Sequence, residues 1–468
     1  MNEFIMKRDE ELNFEKLEHF IKLHKDERRP RYDYLKRMYE SKHDILFQKK
    51  KETHKPDNRL VVNYAKTIVD SLNGFFIGVP IKLEHKDENV SAHLEFIDAY
   101  SNVDDENAEI SKMCSIYGHC FELNYMDEEA IPCVIKLSPE QAFIIYDDGI
   151  RKRPLYGVRY YVNTDGEIEG SFSDSNTITY FTCTNGIYAF SEAEAHFFGE
   201  VPIDEFVENE EKQAAFESVD TLINAYNKAI SEKANDVDYF ADAYLAILGP
   251  ELKDVVIGED EEGNDVTVSA FKAIRDSRVI NLYDVPENGQ IEVKFLDKPN
   301  ADQTQENLID RLELLIYQIS MVVDTSDENL GGNTSGISLK YKLQSMYNLA
   351  KTKERKFAAA LNRRYRRIGN VPTSQMKKDD WIKIKYHFTR NLPNNLLEES
   401  EVARNLEGVV SKETQLKLLS VVDDVQAEIQ LIQKDKKDET QRSNRDGYGT
   451  LEVSSIAEGK RTMVVKDD

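Results

Sequence analysis

The sequence is poor in cysteine and has no long apolar run. Four cysteines among 468 residues are too sparse for a disulfide scaffold, so a reducing cytosol is the expected setting. No apolar run reaches the roughly 18 residues that a membrane-spanning helix needs. The N-terminus soon becomes charged and does not resemble a signal peptide. We therefore expect synthesis and assembly in the cytoplasm, with no membrane partner.

Basic residues are too few to balance the acidic ones. The chain has 61 Lys and Arg against 86 Asp and Glu, a formal net charge of -25. Proteins that grip DNA usually carry a basic patch and a high pI, so this acidity argues against tight, sequence-specific DNA binding. It does not exclude a channel through which DNA slides, because an acidic wall repels phosphates and gains no affinity from counterion release. The net charge therefore distinguishes tight DNA binding from DNA passage, but it does not establish either function.

Complete catalytic motifs are missing. Residues 331–338, Gly-Gly-Asn-Thr-Ser-Gly-Ile-Ser, approach the phosphate-binding loop, but Ile337 stands at the lysine position and the loop follows a predicted helix, not a strand. A flexible interhelical loop is the favoured interpretation. Cys114, His119 and Cys120 lack the paired Cys-x-x-Cys spacing of a metal site. We predict no catalytic residue, no cofactor and no metal ion, so the chain is not expected to be an enzyme.

The first half of the sequence predicts an α+β fold. Residues 8–50 predict two or three mostly exposed helices broken near Pro30, and apolar 3–4 spacing predicts a buried helix over 59–79. Residues 90–200 then predict one helix followed by hairpins, because short β-rich runs alternate with turn dipeptides. The predicted elements there are a helix over 105–116 and strands over 120–126, 133–137, 142–146, 154–163 and 177–183.

Long helices dominate the second half. Their apolar stripes predict helices over 217–244, 304–323 and 337–368. The first two are separated by a small mixed segment with strands near 279–282 and 291–295, and the last two by a polar, Gly-rich break. After them we predict a strand over 381–388, helices over 396–407 and 411–433, and a disordered tail over 436–468.

Two charged segments remain open to interpretation. The acidic run that begins at Glu251 is most simply a solvated loop, but in an assembly it could dock a basic partner. The third long helix carries ten Lys or Arg residues between 337 and 368 against one acid, Glu354. It could bind nucleic acid. The favoured interpretation is that its cations meet acidic residues of neighbouring elements or subunits.

The order of these elements, together with several segments, resembles the portal proteins of tailed bacteriophages, in particular the branch found in siphophages of Gram-positive bacteria. The matching segments are Asn58-Arg-Leu-Val-Val-Asn-Tyr-Ala-Lys-Thr-Ile-Val-Asp-Ser-Leu-Asn-Gly-Phe-Phe76, residues 233–245, residues 329–343 and Lys353-Glu-Arg-Lys-Phe357. The likeness spans roughly residues 30–430, and the Ser335-Gly336 step after the polar loop is its most specific local mark.

The resemblance implies a portal-type fold assembled in a ring, with long stem helices, a β-rich wing, a small α/β clip and a helical crown. The implied regions are an N-terminal helical region (1–49), the first part of the wing (50–215), stem helix 1 (216–245), the clip (246–302), stem helix 2 (303–324), a tunnel loop (325–336), a long wing helix and strand (337–393), the crown (394–435) and a disordered tail (436–468).

The same resemblance, with the charge pattern, assigns three groups of candidate residues. The tunnel loop would face DNA with Asn329, Gly331, Gly332, Asn333, Thr334, Ser335, Gly336 and Lys340. The clip would dock the terminase with Glu251, Asp254, Glu259, Asp260, Glu261 and Glu262. An inter-subunit basic helix would present Lys351, Lys353, Arg355, Arg363 and Arg364.

Function and partners are likewise implied by the family. The chain would form a homo-oligomeric ring, of twelve subunits in the virion, at one capsid vertex. Double-stranded DNA would pass through it, and the terminase, the scaffolding and major capsid proteins, and the head-completion or tail adaptor proteins would bind it. The alternatives are another capsid-associated structural protein, which is generally much shorter, and a DNA- or nucleotide-processing enzyme, for which the motifs are missing.

Overall fold

The computed structural model describes residues 3–51, 56–241, 302–324, 341–391, 396–419, 421–422 and 425–437, together with four short strands between residues 245 and 295. Two compact units divide the chain, one of Met1–Thr325 with Leu343–Arg390 and one of Ser326–Lys342 with Asn391–Asp468. Helices described in the first unit are α1 (Phe14–Leu23), α2 (Arg29–Tyr39), α3 (Tyr64–Ile77), α4 (Glu88–Tyr100), α5 (Val103–Tyr117), α6 (Asp220–Ala241), α7 (Asp302–Ser320) and α8 (Gln344–Asn370).

The strands described in that unit are mostly antiparallel. They are β1 (Phe4–Met6), β2 (Lys82–Glu84), β3 (His119–Met126), β4 (Pro132–Leu137), β5 (Ala142–Asp147), β6 (Pro154–Val162), β7 (Ile168–Ser173), β8 (Thr177–Thr184), β9 (Ile187–Phe190), β10 (Glu194–Ala195), β11 (Ile203–Val207), β12 (Leu245–Leu248), β13 (Val255–Glu259), β14 (Asp265–Val268), β15 (Glu292–Phe295) and β16 (Lys385–His387). The mixture of helices and sheets confirms the predicted α+β class.

The first two helices are less exposed than predicted. A π-helical turn joins α1 to α2, and Pro30 lies in the first turn of α2, where its missing N–H costs no hydrogen bond. α1 packs against the large sheet. The buried side chains of the two helices are Leu17, Phe20, Ile21, Tyr32, Leu35 and Met38. The prediction of helices is confirmed; the prediction that they are mostly exposed is wrong, because one side of each is core.

A seven-stranded sheet carries that core. Its order is β1-β5-β6-β7-β8-β10, β9 also pairs with β8, and β1 runs parallel to β5. The five predicted strands are confirmed, each within one residue at both ends. β7 was not predicted. Its Gly170 explains the weak pattern, since a Cβ there would lie 2.6 Å from the Phe181 ring.

A three-stranded sheet of order β11-β3-β4 packs beside the large one, and Gly118 positions it. Gly118 connects α5 to β3 with a φ of +87°, a left-handed conformation that favours glycine. A Cβ at this position would lie 2.0 Å from the carbonyl oxygen of Lys212. The chain can therefore pass tightly from helix to strand only with glycine at this turn.

The two long helices α6 and α7 pack against each other and against α3. The ring of Tyr64 on α3 contacts Tyr226 and Tyr317 edge-on, with centroids 5.0 and 5.7 Å away. The Tyr64 hydroxyl donates to Glu313 at 2.8 Å. Gln305 of α7 donates a hydrogen bond to Asp236 of α6 at 2.8 Å. α6 and α7 confirm the predicted helices: α6 begins three residues later than predicted, α7 begins two residues earlier and ends three residues earlier, and residues 242–244 lie outside the described residues.

The segment between α6 and α7 is described only in its strands. β12 pairs with β15 and β13 pairs with β14, all antiparallel. β15 confirms the strand predicted near 291–295. The strand predicted near 279–282 lies outside the described residues.

The strand predicted over residues 381–388 is only partly correct. Residues Asp380–Lys383 form a 3-10 turn, and only β16 is extended, paired with β2. The reason is the Asp380 carboxylate, which accepts from the Lys377 amide and the Lys383 ammonium, both at 2.9 Å. These bonds favour a turn over an extended chain.

The second unit is helical in its described part. It contains α9 (Leu396–Asn405), α10 (Lys412–Leu416) and a helix over residues 425–437, here α11. The continuous helix predicted over 411–433 is therefore wrong. α10 stops because the amides of Leu418 and Leu419 bond three residues back, the 3-10 pattern that closes a helix end. Residues 438–468 of the predicted tail lie outside the described part, and residues 436–437 belong to α11.

Candidate functional site: the basic helix and its acidic partners

Of the three predicted groups of site residues, only the basic helix is fully described. The tunnel-loop residues Asn329–Gly336 and Lys340 lie outside the described residues, as do the clip residues Glu251, Asp254 and Asp260–Glu262. Glu259 is the last residue of β13. The roles given to these residues stay predictions.

The basic helix is α8. Its apolar positions recur at helical spacing and are buried, at Met346, Ala350, Phe357, Leu361, Tyr365 and Ile368. Phe357 alone contacts the rings of Phe76, Phe206 and Phe388. Burying one such ring stabilises the fold by about 2–3 kcal/mol. Several cations beside this stripe are buried together with it.

Arg364 is the most deeply buried of these cations. Arg364 and Glu122 of β3 both have 0% of their side chains exposed and form a two-pronged ion pair, with Nε to Oε1 at 2.9 Å. Asn107 of α5 accepts a third hydrogen bond from the guanidinium at 2.7 Å. Burial alone would lower the pKa of Arg364, but the Glu122 carboxylate outweighs that cost and raises it. The pair fixes α8 on β3.

Lys353 lies eleven residues before Arg364 on the same helix, about three turns away, and is also buried. Its side chain is 2% exposed and its Nζ lies 2.7 Å from Glu208. The ammonium also donates to Ser115 Oγ at 2.7 Å and to the Ser111 carbonyl at 2.9 Å. Its three donors are therefore matched by three acceptors, as a buried ammonium requires.

Asp204 of β11 forms ion pairs with two further arginines. Arg363 donates to it at 2.8 Å while remaining 37% exposed, and the buried Arg367 also pairs with it. Arg366 pairs with Glu200 at 2.6 Å and lies over the ring of Trp381. The helix is thus bound to the three-stranded sheet along its C-terminal half.

These contacts confirm, for Lys353, Arg363 and Arg364, the interpretation that cations of the helix meet acidic residues of neighbouring elements. Lys351 is 59% exposed beside Glu354, and Arg355 is exposed without an ion pair to any other described residue. An inter-subunit role for the five basic residues stays a prediction, and the exposed Lys351 and Arg355 suit it better than the buried Lys353 and Arg364.

The acidic partners escaped the sequence reasoning. Glu122, Asp204 and Glu208 lie in or next to short strands and look like ordinary members of an acidic chain. The usable signal was Glu122 within the run Cys-Phe-Glu-Leu, where a carboxylate in an otherwise apolar strand needs a buried partner.

A second buried group also involves α8. The Tyr365 hydroxyl donates to both oxygens of Asp98, at 2.9 and 3.1 Å. Burial raises the pKa of Asp98 from 3.8 to about 6, although Arg364 nearby opposes this shift. The Asp98 carboxyl therefore loses its proton closer to neutral pH than an exposed aspartate does.

The residues considered for a metal site are occupied by other contacts. His119 Nδ1 lies 2.6 Å from Glu205 and its Nε2 lies 2.7 Å from the Tyr32 hydroxyl, so both ring nitrogens are engaged. The sulfurs of Cys114 and Cys120 lie 3.5 Å apart in the core. In the described ranges, no group of three or more His, Cys, Asp or Glu residues is placed to hold a metal ion.

The arrangement is that of a brace. Buried ion pairs and an apolar stripe hold one long helix against the three-stranded sheet and against Phe76 of α3. Of the described helices, none is long and apolar enough to cross a bilayer. The architecture of the whole chain offers a second and wider line of evidence.

Comparison with known proteins supplies that wider view. A family model described as phage portal protein, SPP1 Gp6-like, matches residues 18–442. The chain belongs to this family of phage portal proteins. The resemblance inferred from the sequence is thereby confirmed.

Individual relatives agree with the family. A portal protein of Clostridium phage phiCD119 is 22% identical over 441 residues, which cover 88% of this chain and 94% of the relative. A portal protein of Bacillus phage SPP1 is 23% identical over 419 residues, which cover 84% and 79%. Among solved structures, the neck of an empty GTA particle matches 83% of this chain and 93% of its own, with 10% identity and a TM-score of 0.44.

Proposed function

We propose that this portal-family chain assembles into a closed ring at one capsid vertex and serves as the conduit through which DNA enters and leaves the capsid. The observation that carries the proposal is the family match over residues 18–442, which leaves little of the chain for another function. The ring would contain twelve subunits in the virion. It would be made in the host cytoplasm and would become part of the virion.

Each region implied by the family would serve one step of this function. α6 and α7, braced by Tyr64, would form the stem around the channel, and residues 50–215 with α8 would form the wing. The clip over 246–302 would dock the terminase during packaging and the head-completion or tail adaptor proteins afterwards. The wing and crown would meet the scaffolding and major capsid proteins. A brace of buried ion pairs suits such a part, because a channel wall must keep its shape while DNA moves.

DNA would pass without being held. The net charge of -25 disfavours strong binding to phosphates, and the tunnel loop over 325–336 would be the narrow element nearest to the DNA. We expect no ATP hydrolysis by this chain, since Ile337 takes the place of the P-loop lysine. Turnover of ATP by the purified protein with Mg²⁺ would contradict this expectation.

The conduit can be tested through the tunnel loop. Proline at Gly331 and Gly332 restricts the backbone by fixing φ, so a particle built with this variant should contain the ring but package much less nuclease-protected DNA. The matched control has alanine at the same two positions, which restricts the loop less. Normal packaging by the proline variant would remove the tunnel role from this loop, and absence of a ring in wild-type particles would refute the proposed function.

A further inference from the structure

A short turn presents two exposed apolar side chains among cations. Leu46 is 39% exposed and Phe47 is 63% exposed at the end of a 3-10 turn. Arg37 lies 5.5 Å from the centre of the Phe47 ring and forms an ion pair with Asp44 at 3.3 Å. Lys49 and Lys50 follow, both exposed and without an ion pair to another described residue. Arg37, Leu46, Phe47, Lys49 and Lys50 are called the basic patch below.

The backbone under this patch is fixed. His43 is buried and lies 3.0 Å from the side-chain amide of Asn227. Ile45 is buried as well, and Arg59 donates to the carbonyls of residues 46 and 48 at 3.0 and 2.9 Å. Two apolar side chains are thus held outward on a rigid turn. A rigid exposed anchor loses little entropy when a partner covers it, which is typical of binding surfaces.

A complementary patch lies on α4 and the turn after β3. Phe96 is 52% exposed and Tyr100 is 42% exposed, with ring centroids 5.8 Å apart. The Tyr100 hydroxyl donates to Asp127 at 2.5 Å, which places the exposed carboxylates of that turn beside the two rings. None of Glu95, Glu128 and Glu129 forms an ion pair with another described residue. The acidic patch consists of Glu95, Phe96, Tyr100, Glu128 and Glu129.

We propose that the basic patch of one subunit packs against the acidic patch of the next subunit around the ring. This inference rests on the proposed ring. Each patch has an apolar centre beside charges, and Lys49 and Lys50 are opposite in charge to the glutamates of the acidic patch, so pairing the patches buries apolar surface and brings these ions together. Two different patches on one chain make a head-to-tail contact, the kind that closes rings when the rotation permits.

Duplex DNA fits the basic patch less well. Phosphates would satisfy Lys49 and Lys50, but a duplex backbone offers no apolar surface to cover Leu46 and Phe47. A copy of the same chain offers both, through Phe96 and the carboxylates around it. Because the chain carries an excess of acidic residues, another copy of it is a suitable partner for a cationic surface with exposed apolar groups.

The test is a charge swap in the full chain. Lys49→Glu with Lys50→Glu, or Glu128→Lys with Glu129→Lys, should raise the protein concentration at half-assembly by about tenfold or more, because like charges then face each other. The four changes combined restore opposite charges and should restore assembly. Mass photometry and negative-stain microscopy measure the rings, and circular dichroism checks that each variant is folded.

The matched control is Lys7→Glu with Arg8→Glu, two adjacent exposed cations after β1 whose reversal changes the net charge as much as that of Lys49 and Lys50. It should leave assembly nearly unchanged. Equal loss in this control, normal assembly of either charge-reversed variant, or failure of the combined variant to recover would overturn the pairing while leaving the ring intact as a proposal. Rings of normal stability with weakened duplex-DNA binding in Lys49→Glu with Lys50→Glu would also overturn it. A wild-type chain that never assembles would refute the ring itself.

Discussion

Replacing Arg364 by methionine should destabilise the protein more than almost any other change on α8. Methionine keeps much of the unbranched, apolar stem but removes the guanidinium. Glu122, with 0% of its side chain exposed, then remains as a buried carboxylate without its cation. Breaking a buried ion pair in this way costs about 3–5 kcal/mol.

The expected size can be checked with a cycle of variants. Arg364→Met with Glu122→Gln removes the stranded charge and should recover about 2 kcal/mol of the loss, since a neutral amide is cheaper to bury than a carboxylate. Arg355→Met is the matched control on the same helix. Arg355 is exposed, so its replacement should change the free energy of unfolding by less than about 0.5 kcal/mol.

The protein carries its own probe for this experiment. Trp381 is the single tryptophan and lies 5.5 Å from the guanidinium of Arg366 on α8, so its fluorescence reports on the region. In urea titrations at one protein concentration, Arg364→Met should lower the midpoint by about 1–2 M, and Arg355→Met should hardly move it. Equal midpoints for the two variants would refute the view that the buried pair fixes the helix.

Two further predictions concern the same unit. Gly118→Ala should lower the free energy of unfolding by about 2–3 kcal/mol or more, because a Cβ would lie 2.0 Å from the Lys212 carbonyl at a φ of +87°. Gly166→Ala, with a φ of +81° and nothing within 4 Å, should lower it less. Equal losses for the two variants in urea titrations would contradict the steric account. Asp98→Asn keeps an acceptor for Tyr365 and removes a carboxyl whose pKa is raised from 3.8 to about 6. The folded state binds the Asp98 proton more tightly than the unfolded state. The cost of burying the ionised carboxylate therefore destabilises the wild type fully above about pH 6 and disappears as the pH falls toward 4. Asp98→Asn should be more stable than the wild type by up to about 3 kcal/mol at pH 7.5 and equally stable at pH 4. A difference that does not change with pH would count against this assignment.

The sequence predicted the strands and long helices well because their signals are local. The alternation in residues 120–183 and the turn dipeptides located the strands to within one residue. β7 was missed since Gly170 and its polar neighbours carry little alternation. The prediction of one helix over 411–433 was wrong because an apolar stripe does not show where a 3-10 turn will end the helix.

The charged residues of α8 show where local signals end. The sequence favoured cations that meet acidic residues of neighbouring elements, and this interpretation is confirmed for Lys353 and Arg364. The partners themselves were not predicted, because Glu122 lies in β3 and Glu208 directly follows β11, more than one hundred residues away, and no spacing rule connects such residues. The family resemblance was predictable for a different reason, since it depends on the order of many elements and not on any one contact.

Negative-stain microscopy of the purified chain tests the central claim most directly. The account predicts closed rings with a central hole, seen end-on, at micromolar protein concentration or in the presence of scaffolding protein. Folded monomers at every concentration, with and without scaffolding protein, would contradict it.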